Sequence, residues 1–243
     1  MAFGTIRQLN SEYDIASQIT VTLSLTPTSG NLLCAVCDSR AESQETPSGW
    51  TLAISDYHAI MDDNLSIFYK IAGSGESRNI TFRDGQSNQW LQAAVYEVEG
   101  PWGSSPLDKT NAQDSGEDHV ETISTGSTGT LSSSQEWAIV GVGIRDWYGN
   151  GSFTPVSLGS GWIAGEYFAD PLYGWNCNYF VSAYRTVSST AALECTTTWT
   201  VDNPGPARAA IATFRNTSSS PPAVYQSVLR PGIQPGVRYG VSL

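Results

Sequence analysis

Few residues of this chain stand in patterns that do chemistry. The two histidines, His58 and His119, lie in Asp56-Tyr57-His58-Ala59 and in an acidic stretch, and neither belongs to an HExxH pair. No GxSxG elbow and no phosphate-cradling glycine loop is present, and Gly141-Val142-Gly143 lacks the third glycine and the helix of a dinucleotide site. Both histidines therefore read as plain surface or turn residues. Glu97 and Glu99 are two apart on a β-run, hence on one face, and a retaining glycosidase needs carboxyls about 5 Å apart. Such enzymes draw their acids from different strands around a cleft, so this pair reads as a solvent-facing strand edge. The residues imply no catalytic group and no enzyme.

Metal and redox chemistry are as thin. Cys34 and Cys37 form a CxxC, but it lies in the apolar run Leu32-Leu33-Cys34-Ala35-Val36-Cys37, and strand residues three apart face opposite sides. One zinc ion cannot easily take both. With Cys177 and Cys195 they read as core thiols, a Cys177–Cys195 disulfide being the alternative. Asp62-Asp63-Asn64 and Asp84-Gly85 are oxygen-rich turns open to calcium, without EF-hand spacing. No metal or other cofactor is expected.

Binding residues are easier to nominate. Trp147, Tyr148, Tyr173 and Trp175 stand in Gly/Asn-rich stretches, where exposed rings could stack on sugars or form a subunit interface. Beyond Asn216-Thr217-Ser218-Ser219-Ser220-Pro221-Pro222, a linker composition over 216–222, residues 223–243 carry Arg230 and Arg238 and no acid. Val224, Tyr225, Val228, Leu229, Ile233 and Tyr239 give that stretch apolar anchors. An extended arm, ordering against another subunit, is the expectation, and its charge complements an acidic body.

The scaffold that would carry these residues is β-rich. Of 243 residues only 14% are charged, against about 25% in ordinary soluble domains, and serine and threonine cover the surface instead. Net charge is −11, which argues against a nucleic-acid partner, since phosphate neutralisation needs a basic stripe. Residues 1–125 hold 17 acids and 6 bases, while 126–243 hold 6 of each. The densest acidic run, Asp108 to Glu121, reads as a solvated loop. No apolar run reaches the ~20 residues of a membrane span, and no signal peptide is visible. Period-two runs bounded by Gly, Pro, Ser and Asn predict twelve strands: 19–25, 31–38, 50–56, 65–72, 78–83, 92–99, 119–124, 137–144, 161–167, 179–186, 191–198 and 207–214.

An internal repeat organises them. Leu32–Val36, Ser48-Gly49-Trp50, Phe68-Tyr69-Lys70 and Ala93-Ala94-Val95 return as Trp137–Val142, Ser160-Gly161-Trp162, Ala183-Tyr184-Arg185 and Ala209-Ala210-Ile211. The offsets are 112 for Trp50 to Trp162, 115 for Tyr69 to Tyr184 and 116 for Ala93 to Ala209. The expected fold is all-β: an antiparallel, jelly-roll-like sandwich over 1–215, built from related halves at about 19–100 and 119–215, with the C-terminal arm. Two tandem immunoglobulin-sized domains fit the same repeat. Trp50 and Trp162, at equivalent positions, read as core anchors.

Gly30-Asn31-Leu32-Leu33, Pro47-Ser48-Gly49-Trp50, Phe68-Tyr69-Lys70-Ile71-Ala72-Gly73 and Ala93-Ala94-Val95-Tyr96-Glu97-Val98-Glu99-Gly100 together resemble β-sandwich structural proteins of tailed bacteriophages. These include head decoration, minor capsid and tail or fibre proteins. The resemblance covers roughly 20–215 and implies a non-enzymatic virion protein, made in the host cytoplasm and assembled with major capsid or tail subunits, as a homo-oligomer such as a trimer. The alternative it leaves is a carbohydrate-binding or adhesin module of a tail fibre or receptor-binding protein.

Overall fold

The computed structural model describes residues 2–58, 62–85, 90–146, 154–169, 177–201 and 204–216. Among them are no helices and fifteen strands. Seven belong to the first half: β1 (Ile6–Ile15), β2 (Gln18–Thr22), β3 (Leu32–Ser39), β4 (Thr51–His58), β5 (Asp63–Ile71), β6 (Asn79–Arg83) and β7 (Trp90–Val98). Eight belong to the second: β8 (Trp102–Asp114), β9 (Thr122–Ser124), β10 (Glu136–Asp146), β11 (Thr154–Ser157), β12 (Ile163–Ala169), β13 (Cys177–Val187), β14 (Thr196–Thr200) and β15 (Pro204–Asn216). Asn216, expected to open the linker, is the last residue of β15, while residues 217–222, the arm and the four loop aromatics fall outside the described residues.

All strand pairs are antiparallel. One five-stranded sheet runs β1-β7-β3-β5-β4, another β12-β13-β10-β15-β8, and β2-β6 and β11-β14-β9 form smaller sheets. The two large sheets repeat one order, with β1, β7, β3, β5 and β4 answered by β8, β15, β10, β13 and β12. Pairing register fixes the correspondence residue by residue. Cys34 pairs with Tyr69 and Tyr96, and Ile139 pairs with Tyr184 and Ala212, so Cys34 answers to Ile139 and Tyr96 to Ala212.

Alternation of side chains on each central strand builds three cores. Leu33, Ala35, Cys37, Phe68, Ala93 and Val95 pack under β2 and β6. Ala138, Val140, Val142, Val181, Ala209 and Ile211 pack with Ile123, Cys195 and Trp199 on the far side of the molecule. The opposite faces of the two large sheets meet in the middle through Leu32, Cys34, Val36, Ile67 and Tyr96 against Trp137, Ile139, Phe180, Ala212 and Phe214. The result is a sandwich of two five-stranded sheets, each backed by its own small sheet. Cys34, Cys37 and Cys195 are buried free thiols, Cys34 in the central core and Cys37 in the first outer one. Trp162 is buried and Trp50 partly buried, each against the outer core of its own half.

Along β3 and β10, residues at equivalent positions face each other. A β-carbon on Gly141 would collide with Val36, and one on Gly143 would sit 2.8 Å from Asp38 Oδ1. This is the geometry of two units related by an approximate twofold running along these strands. It also explains why β4 packs against β8 at one edge and β1 against β12 at the other. A strict twofold would set Val36 against a second valine, and glycine on one side is what lets the sheets close.

Three strands escape the sequence reading. β11 is short, while β1 and β8 carry their exposed polar residues on long edges and show no clean alternation. Asp108 to Asp114, expected in a solvated loop, form the end of β8, hydrogen-bonded along β15. Only Thr122–Ser124 of the expected strand at 119–124 pairs. Strand β1 also overturns the reading of Glu97 and Glu99 as a solvent-facing edge. Strand β7 lies between β1 and β3, and both acids are buried.

Candidate functional site

Buried charge is the feature that most needs a function, because burying an ion is costly unless it is paired. Reading every second residue inward along the central strands leads to the same end of the sandwich. On β3 the sequence Leu32, Cys34, Val36 ends in Asp38; on β5 Ile67 and Leu65 end in Asp63; on β7 Tyr96 and Ala94 end in Gln92. In the second half the same faces end in Arg145 on β10, Asn178 on β13 and Arg208 on β15. These polar ends meet at a narrow cleft between the sheets, partly open to solvent, with His58 at its side.

The charges are spent on one another. Asp63 Oδ2 lies 3.5 Å from Arg145 Nη1 and 3.4 Å from Arg208 Nη2, and Arg208 Nη1 also donates to the Asp63 backbone carbonyl. Asp38 Oδ1 lies 3.6 Å from Arg208 Nη2, while its Oδ2 accepts from Gln92 Nε2 at 2.8 Å. Asp38, Asp63, Arg145 and Arg208 are each less than a tenth exposed. Both acids come from the first half and both guanidiniums from the second. Burial raises the Asp38 carboxyl to about 7, against the pull of Arg208. Asp63 is also raised by burial, and Arg145 is lowered by it.

A second polar cluster lies toward the opposite end of the strands. Glu97 Oε1 accepts from Thr28 N at 2.8 Å and from Asn31 Nδ2 at 2.7 Å, its Oε2 accepts from Gln8, and Arg7 lies 3.6 Å away. Register makes Thr213 the counterpart of Glu97 and Glu136 that of Asn31. Glu136 Oε1 accepts from Ser133 N at 3.1 Å, as Glu97 does from Thr28, so each half holds the loop before its central strand with one buried glutamate. Burial raises Glu136 to about 7.

The oxygen-rich turns do not converge on a metal site. Asp63 and Asn64 of the oxygen-rich turn are buried, Asp63 on arginines and Asn64 against Ser55 and Ser66, and Asp84 is fully buried. No group of three or more His, Cys, Asp or Glu among the described residues is placed to hold a metal ion. His58, expected as a plain surface or turn residue, is half-buried where β4 ends and lines the cleft; His119 is exposed. None of the residues nominated for binding lies within the described structure: Trp147, Tyr148, Tyr173 and Trp175, and the arm residues from Val224 to Tyr239, fall outside it. The cleft cluster was missed because its four charges lie far apart in sequence, at positions 38, 63, 145 and 208. Extending the period-two pattern one step past its last apolar residue would have found them. Comparison with protein-family models, with curated proteins and with solved structures finds no match to this chain.

Proposed function

We propose that this chain is a non-enzymatic structural protein of a tailed-bacteriophage virion, a capsid decoration or accessory protein held partly through residues 223–243. The supporting observation is the cleft between the sheets. Its two carboxylates and two guanidiniums neutralise each other across the halves and leave little room for a substrate. A rigid body whose polar interior serves cohesion suits a protein that works by occupying a surface. The arm, basic and apolar against an acidic body, would add buried area between neighbouring subunits, major capsid or tail proteins among them. A closed homo-oligomer such as a trimer would match the symmetry of such a surface.

Cosedimentation with purified virions tests the proposal. The full chain is expected on particles, at high copy for a head location and low copy for a tail. Deleting Ala223–Leu243 should abolish particle binding with the circular dichroism of the sandwich unchanged. Full retention of the truncated chain on particles would remove the arm from the proposal. Absence of the full chain from virions, with glycan binding lost in Trp147→Ala or Trp175→Ala, would replace the proposal with an adhesin.

A further inference from the structure

We propose that the Asp38, Asp63, Arg145 and Arg208 cluster is a proton-linked latch between the halves, in which a proton taken up by the Asp38 carboxyl tightens one sheet on the other. The geometry distinguishes the two acids. Asp63 engages both guanidiniums through its carboxylate and Arg208 again through its backbone carbonyl. Asp38 has a single ion pair within 4 Å, to Arg208 at 3.6 Å and too far for a hydrogen bond, and its Oδ1 has no hydrogen-bond partner. A buried carboxylate oxygen without a donor is costly, and protonation removes that cost while Arg208 keeps Asp63. Gly143 of β10 stands opposite, where a β-carbon would lie 2.8 Å from Asp38 Oδ1, and Asp38 lines the cleft between the sheets.

The surroundings set the sign. Against Asp38 stand Arg208 from β15, Arg145 from β10 and the like charge of Asp63 from β5. Arg40 and His58 bear on Asp63, Asp56 of β4 and Asp114 of β8 bear on each other, and Asp84 acts on Cys37 beneath β3. Burial outweighs the arginines and raises the carboxyl to about 7 from 3.8. Between pH about 4 and about 7 the folded chain therefore binds a proton that the unfolded chain releases, so this contribution to stability is complete below the ordinary aspartate range and is lost as pH rises from there through about 7.

Carboxyl ¹³C NMR of the intact full-length protein provides the test. One aspartate resonance, absent in Asp38→Asn, is expected to titrate with a midpoint near 7, about three pH units above an ordinary aspartate. Every aspartate titrating below pH 5 would overturn the proposal, and that measurement needs only the parent protein. Asp38→Asn keeps an oxygen for Gln92 and should show a shallower fall of melting temperature between pH 5.5 and 8. A variant as pH-sensitive as its parent would also overturn it.

Discussion

The first half sets Asp38, Gln92 and Asp63 where the second sets Gly143, Arg208 and Asn178, and the contrast shows how two like units can be made to fit face to face. Two identical units around a twofold would press like charge on like charge and bulk on bulk. Here each conflict is resolved by asymmetry. Acids on one side meet arginines on the other, and Val36 meets Gly141. Tyr96, whose counterpart is Ala212, reaches across to Ser182 at 2.6 Å, while the counterpart of Ser182 is Ile67. Away from the twofold the outer sheets differ in strand number, two against three, but one turn stays alike. Each half keeps a Ser-Gly-Trp turn beside a cationic side chain, Lys70 near Gly49 and Arg185 over Trp162.

That comparison can be broken at several points. Asp63→Ala should have the largest effect, since it strips both guanidiniums of their shared carboxylate. Breaking a buried pair costs about 3–5 kcal/mol, and urea unfolding should show a loss of that order. A loss below about 1 kcal/mol, the range of a surface pair, would mean the cluster is not what holds the sheets at this end.

Val36 and Gly141 probe steric rather than charge complementarity. Gly141→Val alone should cost about 1–3 kcal/mol or more by overpacking. Combining it with Val36→Gly moves the bulk across the twofold and should recover part of that loss. A double variant whose losses simply add would show that the two positions are not facing partners. The smallest effect is expected from Glu136→Gln. The Glu136 carboxyl is raised to about 7 by burial, so its contribution to stability is complete in acid and fades as pH rises through neutrality. The variant should flatten that part of the melting-temperature profile, whereas Thr213→Val, which removes its hydroxyl partner, should keep a pH dependence.

Much of the fold is legible in the chain because half-buried strands announce themselves by alternation. Leu65-Ser66-Ile67-Phe68-Tyr69-Lys70-Ile71 and Trp137 to Ile144 both form strands, and the offsets of the repeat match the correspondence of β5 to β13 and of β7 to β15 that their registers on β3 and β10 give. Strands β1 and β8 were illegible for the complementary reason. Each lies at the edge of its sheet, and such a strand is held by main-chain hydrogen bonds to one neighbour, which leave no mark on side-chain type. The Asp108–Asp114 run looked like a loop because its polar side chains say nothing of the backbone pairing to β15. Glu97 looked exposed because nothing local reveals that β1 covers β7 and that Gln8, Thr28 and Asn31 converge on one carboxylate.

What the sequence alone determined is therefore the all-β class, the central strands of both halves and the buried thiols, because burial and alternation are written residue by residue. Only the tertiary structure decided that the repeats face each other along β3 and β10, and that four charges scattered between positions 38 and 208 form one cluster. Charge pairing between units depends on which faces meet, and that is set by the packing of whole sheets rather than by any local spacing.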